Sequence, residues 1–219
     1  MIKGTPELIA ERREEIVNAC ERLYKTMSFR DITLKEIGNE VPFSRPTIYY
    51  YFQTKEEIFL ALFKREYDRW NSDLDDIINT ADEPGKDGIA ALIARSLEKR
   101  PQLLKLLSMN NYDMEANSRQ EMLTAFKSSY GASLRLVRAL LEKFRPEMDG
   151  EDVERFIYLF FPFMFGIYPY AAVTEKQRAA MTEAGVDFAY PTVYDLTYNC
   201  LIRLLGGGRS YLGERSTDL

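Results

Sequence analysis

Histidine is absent from the 219 residues. Its absence excludes a Ser-His-Asp or Cys-His catalytic apparatus, imidazole-ligated zinc and a histidine pH switch. Cysteine is nearly absent too. Cys20 and Cys200 are the two thiols, too few to close a four-ligand site and unpromising as a disulfide framework, so a reducing, cytoplasmic compartment is expected. No P-loop is found: Gly206-Gly207-Gly208 is followed by Arg209-Ser210, with no lysine, and ends a helical pattern instead of opening one. Any general base would have to be Asp, Glu, Lys or Tyr, and no pair of carboxylates stands out from the solvated faces. An enzyme, a metal site and a bound cofactor are therefore not expected. Residues 1–15 carry Lys3, Glu7, Glu11, Arg12, Arg13, Glu14 and Glu15 with no apolar core between them, so no secretory signal is expected.

The charges that are present are unevenly placed. Lys and Arg total 29 against 34 Asp and Glu, a net of −5. Residues 1–55 hold nine basic and eight acidic side chains, a net of +1, which leaves −6 for the remainder. Residues 41–55 contain Arg45 and Lys55 and no acid. The result is a small basic tip on an acidic body.

Hydrophobic spacing is helical throughout, and no alternating strand pattern is found. Thr5 and Pro6 open a first helix whose apolar face runs through Ile9, Ile16, Cys20, Leu23, Tyr24 and Met27. Thr33 with Glu36 forms a capping-box pattern that starts a short second helix, which Pro42 stops. Ser44 is expected to cap a third helix running to Phe52. Thr54 with Glu57 opens a long fourth helix toward Ile78. Further helices are expected over 89–99, 102–107, 119–144, 152–171, a short one after Thr174, and 192–205, followed by a disordered tail at 206–219.

Two short helices joined by a tight turn, the second one capped, make a helix-turn-helix pattern. Its use is to lay the second helix in the major groove of DNA. Arg45 and Thr47, in the first turn, can reach base edges. Tyr49, Tyr50 and Tyr51 offer hydroxyls to phosphates. The helix starts at Thr33 and Ser44 supply backbone N–H groups, and Lys55 can pair with a phosphate.

The run from Ile32 to Leu62, with Phe29, Ile32-Thr33, Glu36-Ile37, Ser44, Thr47, Tyr49-Tyr50, Phe52 and Lys55 in order, resembles the N-terminal domain of TetR-type transcriptional regulators over about residues 8–65. The resemblance implies an all-α chain. A three-helix DNA-binding domain (1–55, with a connecting helix over 55–78) would precede a helical ligand-binding and dimerisation bundle (56–205). It places Lys35, Arg45, Pro46 and Thr47 near base edges, and Thr33, Tyr49, Tyr50 and Lys55 near phosphates. Three positions depart from the family pattern. Ser28 and Pro42 stand where glycine is usual, and Tyr51 stands where histidine is usual. Pro42 fixes φ near −65°, which constrains the turn.

Residues 156–174 hold no charge. Pro162, Gly166 and Pro169 interrupt them, so a helix buried on all sides is expected, against its own bundle and a partner subunit, in place of a membrane span. In the last helix, Val193, Leu196, Cys200 and Leu204 line one side and Tyr194, Tyr198, Leu201 and Leu205 another. In TetR-type proteins the last two long helices form a four-helix dimer interface, which implies Leu159, Phe163, Tyr194, Tyr198, Leu201 and Leu205 as interface residues here. The expected partners are thus a second copy of the chain and double-stranded DNA with a palindromic operator, two heads spaced about 34 Å apart fitting successive major grooves. A small apolar or aromatic effector is expected among Met109, Asn110, Tyr112, Phe126, Tyr130, Met164 and Tyr168, a mixture of flat apolar surfaces and a few polar groups. The functional expectation is a repressor released by that effector. A helical protein–protein adaptor without DNA binding is the alternative; it suits the acidic body but not the acid-free, arginine-tipped helix.

Overall fold

The computed structural model describes residues 5–109 and 111–206. Asn110 of the expected pocket, and the expected tail beyond Gly206, lie outside the described residues. In chain order the helices are α1 (Pro6–Thr26), α2 (Leu34–Asn39), α3 (Arg45–Tyr51), α4 (Lys55–Thr80), α5 (Gly85–Glu98), α6 (Pro101–Leu107), α7 (Asn111–Ala116), α8 (Gln120–Phe144), α9 (Gly150–Ala171), α10 (Glu175–Glu183) and α11 (Val193–Leu205). Among the described residues no strand occurs. The helix α7 had no counterpart in the sequence reading.

Local chemistry starts most of these helices. The Thr5 hydroxyl accepts from Leu8 N at 3.3 Å, with Pro6 in the first turn of α1. Thr33 accepts from Lys35 N and Glu36 N. Asp149 accepts from Asp152 N at 2.9 Å, and Thr174 and Thr192 form reciprocal capping boxes with Gln177 and Asp195. Each such cap satisfies backbone donors that would otherwise be orphaned, worth about 1 kcal/mol. Ser44 departs from this pattern. Its hydroxyl makes no capping bond and instead meets Thr47 Oγ1 at 3.2 Å.

The chain divides into two units. The first takes in residues 1–69 and 109–132, so it is larger than a reading head of 55 residues: α7 and the first half of α8 join it. Its core combines Ile16, Val17, Cys20 and Tyr24 of α1, Ile37 of α2, Ile48 and Tyr51 of α3, and Ile58, Phe59, Leu62 and Phe63 of α4. Phe126 of α8 completes it, its ring 4.8 Å from that of Phe63. Arg65 ties α4 to α1 through Glu14, Asn18 and Glu21. Burial pushes the Cys20 thiol well above its ordinary range, so it packs as a small inert hydrophobe.

The most buried charge of this unit is Glu57, which has no exposed surface. One of its oxygens accepts from Gln53 N (2.8 Å) and Arg119 Nη2 (2.9 Å). The other accepts from Arg119 N (3.1 Å) and Arg119 Nε (2.6 Å). Burial by itself would raise the carboxyl pKa, but the Arg119 guanidinium and the two backbone N–H groups outweigh it and hold it below the ordinary value.

The second unit takes in residues 70–108 and from 133 onward. Trp70 is fully buried and donates Nε1–H to Ser96 Oγ at 3.0 Å. Arg100 holds Asp73 with two bonds, at 2.6 and 2.7 Å. The helix α11 packs on α5 and α9, and turns Thr197, Leu201 and Leu205 inward. Leu201 and Leu205 were expected at a subunit interface. They are instead 0% and 1% exposed, already covered by their own chain, because α11 turns the line of Thr197, Leu201 and Leu205, each four residues apart, inward where it packs on α5 and α9.

In α9, Val153, Phe156, Ile157, Phe160, Phe161, Met164 and Ile167 are buried. Each such side chain contributes about 2 kcal/mol, which offsets the cost of placing Pro162 and Pro169 inside a helix, about 3 kcal/mol each. Within the single chain its other side, expected to meet a partner subunit, leaves Tyr158, Leu159, Phe165 and Tyr170 exposed. Among the described residues no single helix is long and apolar enough to cross a membrane; only the pair α9 and α10, bent by 80°, passes on length and composition.

Candidate nucleic-acid interface

The turn between α2 and α3 is held from behind. Glu40 N–H donates to Ile37 O at 3.1 Å and ends α2. Arg22 of α1 donates to Glu40 O at 3.1 Å and pairs with its carboxylate. With the turn fixed, α3 places Ile48 and Tyr51 inward at three-residue spacing, so the remaining positions must face out.

Arg45, Pro46, Tyr49 and Tyr50 are exposed and Thr47 is half-buried. Tyr49 and Tyr50 leave 54% and 55% of their surface open, which is unusual for adjacent large aromatics. Lys35 and Thr33 of α2 are exposed beside them. Thr33, Leu34, Lys35, Arg45, Tyr49, Thr54, Lys55 and Glu56 line an open cleft of about 500 Å³. Three cations face one carboxylate there, and the hydroxyls of Thr33, Tyr49 and Thr54 add hydrogen-bonding capacity. The arrangement suits a polyanion whose phosphates are met by cations and hydroxyls while Arg45 and Thr47 reach further in.

Two expected contacts differ from expectation. Tyr51 is 4% exposed and belongs to the core, not to the outward surface. Its ring stands edge-on to that of Tyr50, with centroids 5.1 Å apart, and its carbonyl accepts from Arg119 Nη2 at 3.2 Å. The reason is periodicity: Tyr51 is three residues after Ile48 and shares its face. Lys55 is half-buried. Its ammonium donates to Phe29 O (2.8 Å) and Ile32 O (3.2 Å) and lies 4.2 Å above the Phe29 ring. Two of its three N–H groups therefore pin the loop between α1 and α2, leaving one for an anion.

The other expected sites are divided between the units. Met109, Tyr112, Phe126 and Tyr130 lie in the first unit, Met164 and Tyr168 in the second. Tyr112 is 85% exposed. Met109 takes a hydrogen bond from the Tyr24 hydroxyl at 2.8 Å. Phe126 is core, and Tyr130 stands edge-on to Tyr67 at 5.7 Å. Met164 is fully buried, while Tyr168 is half-buried and its phenol pKa is pushed up by that burial. On the expected dimer surface Leu159 is exposed, and Phe163, Tyr194 and Tyr198 are half-buried. The Tyr194 and Tyr198 rings stack at 5.6 Å.

Glu57 and Arg119 were not singled out by sequence reasoning. They lie 62 positions apart, and each alone reads as an ordinary charge near a helix start. The Thr54–Glu57 capping pattern was the only available signal, and it pointed to a local role.

Residues 16–62 match the family model described as bacterial regulatory proteins, tetR family, and residues 64–199 match the one described as tetracyclin repressor-like, C-terminal domain. The HTH-type transcriptional regulator EthR of Mycolicibacterium smegmatis is 30% identical over 70 residues, 32% of this chain and 32% of that protein. The HTH-type transcriptional regulator HbdR of an Aromatoleum species is 29% identical over 69 residues, 32% of this chain and 30% of that protein. The chain thus matches about a third of the length of these curated relatives. Among solved structures, the TetR-family repressor FadR of Thermus thermophilus, in complex with lauroyl-CoA, superposes with a TM-score of 0.57 at 19% identity, over 94% of this chain and 100% of that one. That likeness concerns the fold.

Proposed function

The chain belongs to the TetR family of DNA-binding transcriptional regulators, and on that premise we propose that it is a homodimeric repressor that reads a palindromic operator and is released by a small apolar or aromatic effector. The observation that carries the reading is the outward face of α3. Arg45, Tyr49 and Tyr50 are exposed on a helix whose other face is packed through Ile48 and Tyr51, with no acid among residues 41–55. Affinity would come from phosphate contacts by Thr33, Lys35, Tyr49, Tyr50 and the remaining donor of Lys55, and sequence preference from Arg45, Pro46 and Thr47.

Dimerisation is supported by the outer surface of α9. Tyr158, Leu159, Phe165 and Tyr170 recur at helical spacing and are exposed, an apolar stripe of the kind that a partner helix covers. Such a pair would set two reading helices at the separation of successive major grooves. An apolar effector is supported by the lauroyl-CoA bound to the Thermus thermophilus FadR. In this chain it would act through a difference in affinity between DNA-competent and DNA-incompetent arrangements. Reading DNA places the protein in the cytoplasm.

The test is selection of bound fragments from randomised duplex DNA by the full chain, followed by gel shift at low salt. Enrichment of one inverted repeat is the expected result. Binding that shows no sequence preference and no salt dependence would contradict the reading. Addition of acyl-CoAs and of small aromatics to the protein–DNA complex then tests release.

A further inference from the structure

Gly38 lies inside α2 on helical backbone with no positive φ. Nothing in its backbone demands glycine, and glycine weakens a helix interior relative to alanine. What uses the missing side chain is the neighbouring helix. A Cβ placed on Gly38 would stand 3.2 Å from Arg45 Cγ, 3.7 Å from Arg45 Nε and 3.4 Å from Ile48 Cδ1. From Cγ to Nε, therefore, the arginine stem lies across the bare surface of α2. Ile48 is 1% exposed and locked in the core, whereas Arg45 is exposed and rests on α2. A methyl group at position 38 would push the arginine stem, and not the isoleucine, off its line by a few tenths of an ångström.

The destination of Arg45 gives this contact its meaning. Having crossed Gly38, the side chain lines the cleft together with Thr33, Lys35 and Tyr49. An arginine that starts on α3 thereby shares a cleft with the lysine of α2. A long flexible side chain discriminates between bases only when its planar fork is held in one direction, since bidentate bonding to the O6 and N7 of guanine depends on orientation.

We propose that Gly38 is a positioning residue for base recognition: the missing side chain lets Arg45 lie flat on α2, which aims its guanidinium, beside Lys35, at a guanine edge in the major groove. The inference rests on the DNA-reading function proposed above and adds a specificity determinant that does not itself touch DNA. Gly38 acts through Arg45, so its effect has to vanish when Arg45 is gone.

That requirement defines the experiment. The full-length wild type, Gly38→Ala, Arg45→Ala and the double variant are measured on the sequence enriched by the wild type and on its single-base variants, each with a thermal melt. Gly38→Ala should melt at or above the wild-type temperature, because alanine favours the helix. It should lose on the order of ten-fold discrimination at the base pair read by Arg45. In the Arg45→Ala background it should change nothing further. Unaltered discrimination in Gly38→Ala, or an effect that persists undiminished without Arg45, would overturn the inference while leaving the DNA-reading function intact. Failure of the wild type to enrich any sequence would overturn that function and this inference with it.

Discussion

Truncation of Arg119 tests whether a buried ion pair holds the end of α3 in place. Glu57 is inaccessible and carries four hydrogen bonds, two of them from the Arg119 guanidinium. Arg119→Met keeps the aliphatic stem and removes the charge. The Glu57 carboxylate then keeps only the N–H groups of residues 53 and 119, inside a site that water does not reach. Stranding a buried charge in this way costs about 3–5 kcal/mol, and the two surviving bonds place the expected loss at the lower end, about 3 kcal/mol. The reverse change, Glu57→Gln, removes the buried charge opposite the guanidinium, but the Arg119 side chain is 32% exposed and keeps water and its ion pair with Glu121 at 2.9 Å. About 1–2 kcal/mol is expected there. The double variant should lose less than the sum of the two. Urea unfolding followed by circular dichroism, at one protein concentration so that any dimer contributes equally, measures all three. Additive losses, or a loss below about 1 kcal/mol for Arg119→Met, would refute the argument. The pH dependence supplies a second check. The folded pKa of Glu57 lies below its ordinary 4.5. Its contribution is therefore present above about pH 4.5 and is lost as pH falls through the folded value. Arg119→Met should reduce that acid sensitivity.

Tyr51→Ala should destabilise by about 3–4 kcal/mol, as a large core side chain does, whereas Tyr49→Ala and Tyr50→Ala should change stability by about 0.5 kcal/mol and weaken DNA binding; melts and gel shifts on the same samples separate the two behaviours. Lys55→Met should lower stability by about 1–2 kcal/mol through the lost bonds to Phe29 and Ile32 and reduce affinity alike for all sequences, so a stability unchanged in melts would contradict its role as a loop clamp. Leu159→Glu places a charge in the exposed stripe of α9 and should shift the protein to monomer in sedimentation at micromolar concentration with an unchanged helical spectrum.

Features of short range were legible in the sequence. Thr5, Thr33, Thr174 and Thr192 bond to backbone groups two or three residues away, and the helix starts that the sequence marked at Thr5, Thr33, Thr54, Thr174 and Thr192 are where the structure has them. Arg45, Tyr49 and Tyr50 stand on the surface of α3 that the motif assigned to DNA. Other features depended on distant residues. The segment 109–132 joins the first unit through Glu57 and Phe63, more than fifty positions earlier. The exposure of Tyr112 depends on α7, which the sequence did not mark.

The sequence alone therefore determined an all-α chain, the helix starts that carry a threonine cap and the acid-free stretch that holds α3, because caps, periodicity and charge are properties of neighbouring residues. Tertiary structure decided which face of each helix is spent inside the protein. It hid Tyr51, Leu201 and Leu205, gave two donors of Lys55 to carbonyls 23 and 26 positions away, and laid Arg45 across Gly38. An amphipathic pattern marks a face as apolar or polar. Only the packing of another segment against it settles whether that face is core or is left for a partner.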